Sequence, residues 1–186
     1  VRVDITGLAP GTWNAVTTNP DGQSATLVNA FTIASGLLSE DFKSGGTGWT
    51  HSATSPYTID NWVLSTAKSH SATHAYFASG PTSKNIEDLY SPVINIPAGA
   101  TGLQFGFWHN YNFQSNRDGG VLEFSVDGGA WFDVTATGSG ASFATGAYPA
   151  TINSSSSPIN GRKAWSGNAS ASWSQVLVNL TDAAKY

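Results

Sequence analysis

The sequence predicts an all-β protein: a small antiparallel unit over residues 1–36, then a larger β-sandwich with long loops over residues 37–186. Three observations carry that prediction. Apolar and polar residues alternate with period two in segment after segment, the pattern of strands with one buried face. Helical periodicity of useful length occurs nowhere. Turn-forming Gly and Pro, 20 and 8 of the 186 residues, punctuate the alternating runs.

The first unit opens with Val1-Arg2-Val3-Asp4-Ile5, which alternates cleanly, and resumes after the turn Ala9-Pro10-Gly11 with Thr12-Trp13-Asn14-Ala15-Val16-Thr17. Asn19-Pro20-Asp21-Gly22 supplies Pro for the fixed φ of a turn and Gly for a positive one. Strands are expected again over residues 24–28 and 30–33. Ala34-Ser35-Gly36 is a small-residue hinge, and the boundary is placed near Gly36.

In the larger part, strands are expected over residues 62–65, 74–78, 89–96, 103–113, 120–126, 130–134 and 174–180. The segment 103–113 alternates most regularly. Leu103, Phe105, Phe107, His109, Tyr111 and Phe113 share one face; Gln104, Gly106, Trp108, Asn110 and Asn112 share the other. Leu122, Phe124 and Val126 face inward on the next strand, and Asp127-Gly128-Gly129 joins it to Ala130-Trp131-Phe132-Asp133-Val134 as a tight hairpin. Between Thr135 and Trp173, Gly, Ser, Ala and Asn predominate, with Phe143, Tyr148, Trp165 and Trp173 among them. These are expected to anchor long loops on the sandwich. Val176, Val178 and Leu180 line one face of the last strand, and a short helical turn begins at Thr181-Asp182-Ala183-Ala184.

Composition excludes several classes. Hydrophobic residues are 40% of the chain, enough for a real core, and charged residues only 11%. With a net charge of -4, a pI near 5.4 and no Lys/Arg cluster, nucleic acid and anionic membrane are poor partners. Cys is absent, which removes disulfides, Cys-ligated zinc and thiol redox chemistry. No apolar run approaches the roughly 20 residues of a membrane span, so no membrane insertion is expected. No leader pattern opens the chain, and Val1 starts inside a strand pattern. A fragment of a longer secreted or cell-surface protein, of bacterial type, is the expectation.

Two resemblances sharpen the fold. Pro10-Gly11-Thr12-Trp13, Thr18-Asn19-Pro20-Asp21-Gly22-Gln23-Ser24-Ala25-Thr26-Leu27 and Asn29-Ala30-Phe31-Thr32-Ile33 resemble the closing part of an IPT/TIG domain, an Ig-like repeat of surface proteins. The opening strands of that fold are missing, so the unit reads as a partial Ig-like one. The remainder resembles the MAM-like modules, jelly-roll or concanavalin-like sandwiches, attached to secreted bacterial metallopeptidases. The resemblance rests on Glu40-Asp41-Phe42 with Gly48-Trp49, Ser69-His70-Ser71-Ala72-Thr73-His74-Ala75, Leu89-Tyr90-Ser91-Pro92, Phe107-Trp108-His109-Asn110-Tyr111, the strand framed by Asp118-Gly119-Gly120 and Asp127-Gly128-Gly129, and Gly161-Arg162-Lys163-Ala164-Trp165-Ser166-Gly167. It implies an accessory, non-catalytic module. Members of that family continue into further closing strands, so this sandwich is expected to lack them, and an open edge invites another strand.

Candidate chemistry is sparse. His70 and His74 are four apart, but Ser71-Ala72-Thr73 offers neither the Glu nor the helix of a zincin, and a structural or surface role is expected. His109 shares a face with Phe105 and Phe107 and is expected to be a core histidine, bonded to a neighbour such as Asp118. No Gly-x-Ser-x-Gly elbow and no Cys supply a nucleophile. Asp41, Asp88, Asp118 and Glu123 stand near strand ends and are the candidates for a structural calcium; turn capping by Asp118 and Asp127 competes with that role. Glu123 with Asp133 or Asp41 could serve glycoside hydrolysis only if they converge. Seven Trp and six Tyr in a chain of low charge suit sugar binding, and Trp108, Asn110 and Asn112 form the candidate platform. Asn153, Asn168 and Asn179 begin Asn-x-Ser/Thr sequons.

Three functions remain open: an adhesion or targeting module for an extracellular glycan or protein, a structural subunit assembling by strand addition into a fibre or array, and the accessory region of a secreted metallopeptidase.

Overall fold

The computed structural model describes residues 11–33, 36–71, 73–182 and 184–186. The strand expected over residues 1–5, the turn residues Ala9 and Pro10, the hinge residues Ala34 and Ser35, and Ala72 and Ala183 lie outside them. The chain is all-β, and every strand pairing among the described residues is antiparallel. It divides into two compact units, Val1–Ser39 and Glu40–Tyr186.

In the first unit β1 (Gly11–Thr18) pairs with β2 (Ser24–Ile33). The turn closes with Gly22 N–H donating to Asn19 O at 2.9 Å, and Gly22 takes the φ of +88° that its sequence position foretold. The break read at Asn29 is a bulge inside one continuous strand. Asn29 has φ +55°, its N–H donates to Asn14 Oδ1 at 2.9 Å, and the register slips between Trp13 and Ala15.

The second unit holds the remaining strands. β3 (Thr50–Ala53) pairs with β6 (Glu87–Tyr90), and β4 (Val63–Ser65) with β5 (Ala75–Phe77). β7 (Gln104–His109), β13 (Ser174–Leu180) and β10 (Ala141–Thr145) form a three-stranded sheet with β13 in the middle. β8 (Glu123–Phe124) pairs with β9 (Phe132–Asp133), and β11 (Ala150–Thr151) with β12 (Lys163–Ala164).

The core lies against one face of the three-stranded sheet. Val176 and Val178 of β13 are fully buried with Val134, beside the buried Trp165, and Phe107, Leu122, Phe124, Phe143, Tyr148 and Leu180 pack around them. Burying each such aliphatic side chain contributes about 1.5–3 kcal/mol. Trp165 is met edge-on by Phe107, Phe143 and Tyr148, and its indole N–H donates to Gly146 O at 2.8 Å.

The expected strand over residues 174–180 is observed residue for residue. The one over 89–96 is instead β6, which ends before Ser91-Pro92, because Pro92 has no N–H to give a ladder. The long segment 103–113 keeps its alternation but changes partner after His109. Ala169 N–H donates to Tyr111 O and Phe113 N–H to Gly167 O, so a loop replaces β13. The stretch between Thr135 and Trp173, read as loops, contains β10, β11 and β12, and the anchors Phe143 and Trp165 belong to the core. The Asp127-Gly128 turn is as expected: both φ values are positive, +52° and +71°, and Gly129 N–H closes on Val126 O at 2.8 Å.

Candidate functional site

The face of the three-stranded sheet turned away from the core collects the polar positions. On β7 it carries Gln104, Gly106 and Trp108, because Phe105, Phe107 and His109 alternate inward. On β13 it carries Gln175, Leu177 and Asn179, the partners of Trp108, Gly106 and Gln104 in the ladder. Ser142 and Thr145 of β10 continue the rows beside Asn179 and Leu177. None of these side chains is charged. Gln104 Nε2 donates to Asn179 Oδ1 at 2.9 Å, and a cleft of about 330 Å³ lies there among Gly102, Leu103, Gln104, Asn179, Leu180 and Thr181.

At the other end of the face Trp108 keeps 44% of its surface exposed. The His70 ring stacks on its indole at 3.9 Å between centroids and 10° between planes, and Trp173 approaches His70 edge-on at 6.1 Å. The segment bearing His70 is tied down through Lys68, whose Nζ donates to Asn110 Oδ1 at 2.8 Å and to Ser170 O at 2.7 Å. Asn110 Nδ2 donates in turn to Ala169 O and Ser172 O. Of the three residues expected to form a sugar platform, Trp108 therefore stands on an open face, while Asn110 spends its carbonyl and its amide on neighbouring loops. Asn112 is exposed and bridges to Asn168 through the backbone.

A second polar cluster sits beside the core. Arg162 Nη2 is 2.7 Å from both Glu123 Oε1 and Asp133 Oδ2, which lie directly opposite one another on β8 and β9. Burial pulls the guanidinium pKa down, but the two carboxylates outweigh it and push the value up. The Tyr148 hydroxyl accepts from Leu122 N–H at 2.7 Å and faces Asp133 Oδ2 at 3.4 Å; burial above all, with the Asp133 charge, raises its pKa. Glu123 and Asp133 thus converge, but with Arg162 between them.

The four carboxylates proposed for calcium do not meet. Asp41 pairs with Lys43 at 2.8 Å, which holds its carboxyl below the usual range through that hydrogen bond. Asp88 accepts from Thr54 Oγ1, Glu123 is on Arg162, and Asp118 is an exposed residue whose carbonyl accepts from Ser166 Oγ. Among the described residues no group of three or more His, Asp or Glu is gathered as a metal site. His70 stacks on Trp108 while His74 Nδ1 bonds Thr73 Oγ1 at 2.7 Å. His109 is held by rings rather than by Asp118: Phe107, Tyr111 and Trp165 surround it, and burial lowers its pKa. Of the sequon residues, Asn179 is engaged with Gln104 inside β13, Asn168 Oδ1 accepts from Ser170, and Asn153 is exposed.

No protein-family model, curated protein or solved structure matches the chain. No helix long and apolar enough to cross a membrane is present among the described residues. Sequence reasoning missed Gln175 and Asn179 as companions of Trp108, although the alternation of residues 174–180 already placed them opposite Val176 and Val178. His70, Lys68 and Trp173 carry no such local signal, since their contacts with Trp108 and its surroundings are long-range.

Proposed function

We propose that this chain is a non-catalytic binding module of a larger secreted or cell-surface protein, and that it takes an extracellular glycan on the outer face of β7, β13 and β10. One observation carries the reading: a half-exposed tryptophan, with His70 stacked on one face of its indole, borders rows of amides and hydroxyls free of charge. A flat indole offers an apolar surface to a sugar ring, and amides can both donate to and accept from hydroxyls. The resemblance of residues 37–186 to accessory modules of secreted metallopeptidases points the same way. Glu123 and Asp133 favour a structural role over hydrolysis, because a glycosidase keeps the space between its carboxyl groups for the scissile bond and here Arg162 fills it.

The test is a screen of the folded chain and its Trp108→Ala variant against polysaccharide and matrix-protein arrays. Glycan signals that vanish in the variant support the reading. Silence across all glycans counts against it.

A second reading is a structural subunit that assembles by strand addition. The hairpin favours it: among the described residues β1 and β2 pair only with each other, and Val16, Leu27 and Val28 are more than half exposed. Two strands alone are marginally stable in water. A mass measurement that finds a monomer at every concentration discards this reading.

A further inference from the structure

We infer, resting on the glycan reading above, that the ligand is a linear, uncharged polysaccharide lying lengthwise along β7 and held at two separated points, Trp108 and the Gln104–Asn179 pair. The two points are on one face of one strand, four residues apart, hence about 13 Å at about 3.3 Å per residue. That separation exceeds a single sugar ring, so one monosaccharide cannot touch both.

The ground between them is low. Gly106 puts no side chain there, and a Cβ at that position would come within 3.2 Å of Leu177 Cδ1 and 3.3 Å of Val176 O. Leu177 therefore lies against bare backbone and gives the floor an apolar strip. At the far point the hydrogen bond from Gln104 Nε2 to Asn179 Oδ1 fixes both amides. It leaves the Asn179 amide protons and the Gln104 carbonyl for hydroxyl groups. The cleft there, about 330 Å³, is at the small end of ligand sites and suits part of a chain rather than a whole ligand.

Absence of charge selects the polymer. A uronate or sulfated glycan entering this face would surrender its hydration with no Lys or Arg among Gln104, Trp108, Gln175 and Asn179 to replace it, and the cation beside the Trp108 end, Lys68, already spends its ammonium on Asn110 Oδ1 and Ser170 O. A neutral glycan loses only hydroxyl hydration, which the amides restore.

The experiment is titration calorimetry of the whole chain with neutral oligosaccharides from one to six sugar units, with matching anionic oligosaccharides and with the matrix proteins of the array. Affinity is expected to rise at least about tenfold, equivalent to about 1.4 kcal/mol, as the oligomer becomes long enough to reach both points, and then to level off. Trp108→Ala is expected to weaken every length. Asn179→Ala, which removes one amide of the far point and the hydrogen bond that fixes Gln104, is expected to weaken the long oligomers and spare the short ones. Neutral monosaccharides that bind as tightly as hexamers, or anionic chains that bind more tightly than neutral ones, overturn the spanning, uncharged ligand and leave the glycan reading intact. No binding of any glycan, including the case of a protein ligand lost in Trp108→Ala, removes both.

Discussion

Arg162 Nη2 lies 2.7 Å from Asp133 Oδ2 and holds in the same grip Glu123, the residue facing Asp133 across the β8–β9 pair. Without that guanidinium two like charges would stand opposite each other in a sheet, which is destabilising. Arg162 is about one-third exposed, so solvent screens part of the interaction and the full cost of a broken buried pair does not apply. Arg162→Met is expected to lower unfolding free energy by about 1–2 kcal/mol in urea, and adding Glu123→Gln should recover part of the loss. An additive double variant would show that the two carboxylates do not communicate through Arg162.

Gly128 and Gly146 share nearly the same left-handed φ, +71° and +69°, yet differ in what surrounds them. Nothing lies within 4 Å of a Cβ on Gly128, whereas on Gly146 it would strike Gln175 O and stand 2.9 Å from Val176 Cα. Gly128→Ala therefore carries backbone strain alone, about 1–2 kcal/mol. Gly146→Ala adds a clash with the central strand and disturbs the carbonyl that accepts from Trp165, so it should cost at least about 1–3 kcal/mol more. Thermal unfolding of both variants checks the order, and equal losses would contradict it.

These features differ in how far the sequence disclosed them. Strand β13 was legible because Val176, Val178 and Leu180 contrast sharply with Gln175 and Asn179. Strands β10 to β12 were hidden because Ala141, Ala144, Ala150 and Ala164 fill inward and outward positions alike and flatten the alternation. The regular alternation of residues 103–113 makes Asn110 a ligand candidate by its place in the pattern alone. Its hydrogen bonds run to Lys68, Ala169 and Ser172, contacts of high sequence separation that leave no local mark. The Arg162 cluster was half legible, since the Asp-Gly turn brings Glu123 and Asp133 to adjacent strands but says nothing of the cation between them.

His109 makes the stability depend on pH in a definite direction. Its rings of contact are Phe107, Tyr111 and Trp165, and burial holds its pKa below the ordinary 6.5. The unfolded chain then binds a proton at a higher pH than the folded one, so this contribution is complete above about pH 6.5 and is lost as pH falls toward the depressed folded value. His109→Phe keeps a ring in place and removes the proton. Comparing unfolding free energies from pH 8 to pH 5, the wild type should lose more than the variant over the acid part of that range. Parallel curves would mean that His109 accepts its proton in the folded state without penalty.

Asn110 and Asn112 stand two apart on the same side of an extended segment, and the structure gives them opposite duties. Asn110 ties Lys68 to the 169–172 loop with its entire side chain, whereas the exposed Asn112 meets Asn168 through a backbone bridge that any side chain permits. Asn110→Ala leaves two loop carbonyls to find water and the Lys68 ammonium with Ser170 O as its remaining partner. Partial exposure makes the replacement easy, so the expected cost is about 1 kcal/mol, near the low end for a lost side-chain partner. The sharper readout is local. Amide hydrogen exchange at residues 169–172 and near His70 should quicken in Asn110→Ala and stay unchanged in Asn112→Ala. Any fall in glycan affinity should then follow the same division, because it would come from loosening the His70 ring stacked on Trp108 rather than from losing a contact to sugar. If Asn110→Ala weakens binding while exchange in both segments is untouched, Asn110 meets the ligand directly and the clip is incidental.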